Sequence, residues 1–311
     1  MPAGLLIDIG PGDAGALPAL FGNEDFAALS GEFACHYRDI LDPALAAPLA
    51  QAGWKAIAAA ALARVDGPLV KAELPPGTAL VDGNWCTTPP AKPTGAQAAS
   101  RALAMQLVQL VAADGHTHEI EALLRKDPTL SYQLLRLVNS LGMGGAGRRV
   151  TSFSQAILIL GRQQLRRWLN LMLFAARDGD MRSGMLLARV SVRARLMEQL
   201  ARIRGLDKSN QEQGFMTGMF SLLGVLFGTP LPDVLAPLSM SEPVHDALLS
   251  YAGELGQTLH LCEAAERGDF DGAAALLQSL QISPDDFNAA NAMATLWMLS
   301  ALSSSKGSPN A

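Results

Sequence analysis

His245-Asp246 is a His-Asp dipeptide. Such a pair can bind a divalent metal that activates water for phosphate-ester hydrolysis. That chemistry also needs another histidine upstream and an aspartate downstream on the same metal. Successive helical residues diverge by about 100°, so the dipeptide does not make a site by itself. Its place after Ser241-Glu242-Pro243 predicts a partly exposed helix start. His116 and His118, followed by Glu119, form a second candidate metal group. Residues at i and i+2 point to different sides of a helix. No third ligand stands nearby, and Asp114-Gly115 predicts an exposed loop with solvated histidines. Gly142-Met143-Gly144-Gly145-Ala146-Gly147 has the spacing of a dinucleotide-binding glycine loop. That loop works between a strand and a helix, with an acid about 20 residues on to hold the ribose. Here a predicted helix precedes the glycines and no such acid follows, so they read as a flexible interhelical loop.

The arginines are the other concentration of chemistry. Between Arg162 and Arg204 stand ten arginines and three acids, a net of +7 in a chain whose net charge is −5, which leaves −12 for the rest. Guanidinium groups bind carboxylates and phosphates bidentately. An anion or acidic-partner site would draw on Arg166, Arg167, Arg193 and Arg195. The alternative is solvated helix faces paired with the protein's own acids. Most of the arginines are read that way, with Arg166 and Arg167 expected to reach a partner. Only Trp168 interleaves with them, which argues against single-stranded nucleic acid.

The positions holding these residues belong to a globular chain. Of 311 residues, 49% are hydrophobic and 17% charged, far from the disordered class. An acidic balance excludes a generic nucleic-acid binder. Cys35, Cys86 and Cys262 are far apart and form no CxxC pair, which excludes a zinc ribbon and a disulfide framework. No signal peptide and no apolar run of about 18 residues is found, so a cytoplasmic protein without membrane insertion is expected. There is no P-loop and no nucleophile elbow, and no cofactor is called for.

Residues 1–95 alternate short apolar runs with Gly/Pro punctuation. Leu5 to Ile9 predicts a strand, Leu41 to Ala63 a helix with a turn near Gly53, and Leu69–Ala72 and Thr78–Val81 two further strands. The proline-dense stretch 87–95 predicts a linker. From about Ser100 the pattern is helical. Asp127-Pro128 predicts one helix start. Ser152 to Gln155 has capping-box spacing, with a stop at Gly161 and a further helix carrying Leu165, Trp168, Leu169 and Met172. Met185 to Ile203 reads as long and amphipathic. Gln213 to Phe227 reads as one central buried helix, with Met216, Met219, Leu223 and Phe227 in the core. Ser283-Pro284 starts the last helix, and the tail 304–311 is expected to be disordered.

The segments Asp127-Pro128-Thr129-Leu130, Leu134 to Ser140, Val150-Thr151-Ser152, Gln155-Ala156-Ile157 and Leu160-Gly161 together resemble the HDOD domain. So do Gly214 to Gly224, Pro237-Leu238-Ser239, Ala247-Leu248-Leu249 and Glu266-Arg267-Gly268-Asp269. This resemblance covers about residues 100–300. It implies an all-helical, catalytically silent relative of the HD phosphohydrolases. In the catalytic relatives the segment like Gly218 to Gly224 carries the metal-binding His-Asp dyad. Here Ser221 and Leu222 stand at that degenerate position, and neither is a competent ligand for a transition metal. The helix 185–204, which should supply an earlier metal histidine, has none.

Residues 1–95 more faintly resemble the end of an EAL domain, the cyclic-di-GMP phosphodiesterase barrel, in Gly83-Asn84-Trp85-Cys86 and Lys92-Pro93. A full barrel of this kind needs about 250 residues, and the E-A-L and D-D-F motifs are absent. The expected architecture is therefore mainly α: a truncated, degenerate EAL-like α/β remnant at 1–95, then an all-helical HDOD domain at 96–303. The resemblance implies a bacterial, cytoplasmic, non-enzymatic signalling scaffold or adaptor that binds a protein partner or small ligand through its helical domain. The rival readings are a metal-dependent phosphohydrolase using His245, Asp246, His116 and His118, and a receptor for an anionic nucleotide second messenger.

Overall fold

The computed structural model describes residues 2–7, 21–39, 42–70, 73–88, 96–124, 126, 153–173, 181–236, 238 and 240–303. The architecture is mainly α-helical, with a small α/β unit leading into a helical body.

Leu5–Ile7 (β1), Cys35–Arg38 (β2) and Lys55–Ile57 (β3) form a parallel sheet in that order, with Leu5 opposite Cys35 and His36 opposite Lys55. Parallel neighbours need crossover connections. Helices Glu24–Glu32 (α1) and Pro43–Gln51 (α2) lie on those connections. Each starts at a side-chain cap. Asn23 Oδ1 accepts the Phe26 amide at 2.9 Å, and Asp42 Oδ1 accepts the Ala44 amide at 2.8 Å with Pro43 in the first turn. Leu62–Arg64 (β4) and Leu80–Asp82 (β5) form a second, two-stranded parallel ladder. Arg38 reaches Asp82 at 2.8 Å and ties the two sheets together.

Two expectations for this unit are corrected. The helix expected over 41–63 ends at Gln51, and beyond Gly53 the chain becomes β3, a 3-10 turn and β4. Leu69 and Val70 lie outside any strand, whereas the strand expected at Thr78–Val81 is present as β5, paired with residues 62–64. Short apolar, alanine-rich runs carry no period that separates strand from helix, so pairing partners decide between them.

The helical body comprises Ala96–Ala112 (α3), Thr117–Leu124 (α4), Phe153–Leu173 (α5), Met181–Ile203 (α6), Lys208–Phe220 (α7), Leu223–Phe227 (α8), Leu231–Leu235 (α9), Glu242–Ser250 (α10), Gly253–Arg267 (α11), Phe270–Leu280 (α12) and Pro284–Ser303 (α13). The expected stop at Gly161 is present as a non-helical break that divides Phe153–Leu173 into two helical segments. Its φ of 75° interrupts α5, and the second half then buries Leu165, Trp168 and Leu169.

Residues 213–227 are heavily buried as expected, nine of the 15, and α6 is buried to a similar extent. Thirteen of its 23 residues are buried, because α7, α11 and α13 all pack on it, so it is not amphipathic. The segment 213–227 is two helices, broken at Ser221 and Leu222. Met219 and Leu223 are fully buried, whereas Met216 and Phe227 are only partly covered.

Helices α6 and α7 cross unusually closely. A Cβ on Gly218 would stand 2.5 Å from the Ala194 Cα, and one on Gly214 would stand 3.0 Å from the Met197 carbonyl oxygen. Only hydrogen fits at Gly218, so this residue sets the spacing of the two helices and brings Ser221 beside Arg193.

Two cores result. The larger lies inside the helical body. The smaller joins Phe26, Leu29, Leu49 and Trp54 of the α/β unit to Ala188 of α6 and to Ala292, Met298 and Leu299 of α13. Polar contacts reinforce this seam: Arg182 Nε donates to the Thr88 carbonyl at 2.7 Å, and Arg189 Nη1 donates to Asn84 Oδ1 at 2.9 Å. The helix expected from Asp127, the glycine loop 142–147, residues 89–95 and the tail 304–311 lie outside the described residues.

Candidate functional site

Ser221 caps the C-terminus of α7, and Leu222 begins the break before α8. Leu222 is 5% exposed and belongs to the apolar core. Ser221 Oγ donates to the Gly218 carbonyl at 2.7 Å and accepts from Arg193 Nη1 at 2.8 Å. Arg193 projects from the middle of α6 and is 4% exposed.

Its guanidinium is held by two acids of α11. Nε and Nη2 donate to the two oxygens of Glu266 at 2.7 and 2.6 Å, and Nη1 donates to Glu263 at 3.0 Å. The other Glu263 oxygen accepts the Tyr251 hydroxyl at 2.8 Å. Burial pulls the Arg193 pKa down, but Glu266 and then Glu263 outweigh it and hold the guanidinium above its ordinary value. Burial, with Glu266 beside it, pushes the neighbouring Cys262 thiol far up, so it stays protonated.

At the dyad position implied by the resemblance, the cation is therefore a guanidinium. Its two carboxylates are engaged, the serine hydroxyl is neutral and hydrogen-bonded, and Leu222 offers no donor atom. These residues do not fit a metal. Among the described residues no group of three or more His, Cys, Asp or Glu side chains could hold one.

The remaining candidates sit elsewhere. His245 and Asp246 are half-exposed on α10, with Nδ1 and Oδ1 3.3 Å apart. His116 and His118 are exposed and stack on each other with ring centroids 5.5 Å apart. The structure does not bring these two pairs into one site.

The other three arginines form a second internal network. Arg167, the first partner-facing candidate, turns inward. Its Nε donates to Glu212 at 2.8 Å, its Nη2 contacts Glu212 and also Glu198 at 2.9 Å, and its guanidinium lies 4.3 Å over the Phe215 ring. Arg195 donates to Glu198 at 2.6 Å and stands over Trp297. Arg166 reaches Glu212 at 3.3 Å, and Gln163 donates to Glu212 at 2.9 Å. Burial raises the Glu212 pKa, but Arg167, Gln163 and Arg166 together lower it further, leaving the carboxyl below its ordinary range.

Arg193 is buried and Arg167 is mostly covered, each paired with acids of its own chain, while Arg166 borders a cleft. Charge counting missed the acids that hold them. Glu263 and Glu266, three apart on one helix, share a face, and that spacing was the available signal.

A family model for the HDOD domain matches residues 99–238. The chain is 32% identical over 153 residues to the cyclic di-GMP phosphodiesterase CdgJ of Vibrio cholerae, a match covering 49% of this chain and 35% of that protein. It is 28% identical over 150 residues to the uncharacterized protein YuxH of Bacillus subtilis, covering 48% and 36%. The chain thus matches about a third of the length of these curated relatives. No solved structure matches. Residues 99–238, which carry Arg193, Ser221 and Leu222, are an HDOD domain.

Proposed function

We propose that this chain is a non-catalytic bacterial signalling adaptor of the cytoplasm, in which the HDOD helical body binds a protein partner. One observation carries the reading: Arg193, clamped by Glu263 and Glu266, stands with Ser221 and Leu222 where a hydrolase of the related type would hold its metal. A guanidinium cannot lower the pKa of a bound water as a divalent metal does. It therefore supplies no nucleophile.

The parallel strands and connecting helices of the first 88 residues support reading that unit as a shortened, degenerate EAL-like remnant. The name of the Vibrio relative, a cyclic di-GMP phosphodiesterase, supports a place in signalling by that second messenger.

The test is hydrolysis. Purified protein supplied with Mn, Mg, Fe or Zn should leave cyclic di-GMP, its linear dinucleotide product and p-nitrophenyl phosphate intact. Metal-dependent turnover that disappears in His245→Ala would overturn the reading and favour the phosphohydrolase.

A further inference from the structure

On the face of α7 away from Arg193, Ser209, Gln213, Met216 and Phe220 follow the i, i+4, i+7, i+11 stripe of a helix. This stripe floors a cleft of about 580 Å³, walled by α3, α5 and the chain entering α10. The volume falls within the range of small-ligand sites, roughly 300–1,000 Å³. Its body is apolar, with Val108, Met216, Phe220, Leu238, Met240 and Val244 in the walls. Its polar end holds Arg166, Lys208 and Glu212.

The charge at that end is unbalanced. Arg166, Arg167 and Arg195 share two carboxylates, Glu198 and Glu212. Arg167 and Arg195 take the short contacts. Arg166 has only the 3.3 Å contact to Glu212, and its Nε is buried without a hydrogen-bond partner. About a third of the Arg166 side chain is exposed where it lines the cleft, so its guanidinium can take an acceptor arriving there. Lys208 adds a further positive charge at the mouth. The Glu212 carboxylate in the same wall repels a dianion, so the preferred head carries one negative charge.

We propose that this cleft binds a small amphiphile with a single carboxylate head, the head on Arg166 and Lys208 and the apolar body over Met216, Phe220 and Val244. The site is distinct from the Arg193 cluster. Hydrolytic activity there would refute the adaptor reading and leave this one standing.

The test is calorimetric titration of the full chain with decanoate, decanol and inorganic phosphate. Decanoate should bind one per chain and raise the melting temperature, decanol should bind at least about tenfold more weakly, as expected from losing one charge-assisted hydrogen bond, and phosphate should not bind. Arg166→Gln should weaken decanoate to the level of decanol. Met240→Trp, which fills the cleft away from the ion network, should abolish binding of both in a chain that melts like the wild type. Absence of decanoate binding, equal affinity for decanoate and decanol, or binding that survives both substitutions would overturn the proposal.

Discussion

Arg193 and Glu266 meet in a two-pronged ion pair, Nε to Oε1 at 2.7 Å and Nη2 to Oε2 at 2.6 Å, that locks α6 to α11 across the position implied for a metal dyad. Parallel bonds between a planar guanidinium and a carboxylate fix orientation as well as distance. Glu263 and Ser221 take up Nη1, so the buried charge is compensated at each end.

Removing that cation leaves two carboxylates facing each other in a mostly buried site. Arg193→Met should cost about 3–5 kcal/mol, the usual penalty for breaking one partner of a buried pair. Urea unfolding measures it. A variant as stable as the wild type would show that the cluster contributes nothing to the fold.

Gly218→Ala should destabilise by about 1–3 kcal/mol, the range for overpacking a tight contact. The added methyl would press on backbone atoms of α6, at 2.5 Å from the Ala194 Cα, and backbone cannot rotate away as a side chain can. Thermal melting checks it, and an unchanged melting temperature would contradict the close crossing.

The Glu212 network predicts an acid limit. Its folded pKa lies below the ordinary value of 4.5, so the ionised carboxylate stabilises the fold above that pH. That contribution is lost as pH falls from 4.5 through the lower folded value. Glu212→Gln should flatten the fall in stability over this window. Equal slopes for variant and wild type would remove Glu212 from the account.

How much of this was legible beforehand varies with the element. Regular apolar spacing located the helical body, and the Ser283-Pro284 signal placed the start of α13 correctly. The motif from Gly214 to Gly224 located Ser221 and Leu222. Two of its glycines, Gly214 and Gly218, however, mark a close helix crossing that spacing alone does not announce. In the α/β unit, residues 55–57 and 62–64 became strands because a parallel neighbour was available to each, which is a nonlocal fact. Most of the arginines pair with the protein's own acids as expected, but which acids they meet is nonlocal too. Composition counts the charges of 162–204, but Arg193 finds its acids about seventy residues downstream, and Arg167 finds Glu212 on α7, two helices on.

The three cysteines should be unreactive in the folded chain. Burial raises Cys35 to about 11 and pushes Cys86 and Cys262 up as well, and only the thiolate attacks. Ellman's reagent at mildly alkaline pH should label the native protein far more slowly than the denatured chain. Rapid labelling of the native protein would place at least one thiol at the surface.

The central claim is that a guanidinium, not a metal, is the cation at the Ser221–Leu222 position. Elemental analysis of the protein after incubation with Mn, Fe and Zn and thorough desalting tests it most directly. The account predicts no stoichiometric metal in either the wild type or Arg193→Met. One tightly held metal per wild-type chain, lost on substitution of Glu263 or Glu266 by glutamine, would contradict it.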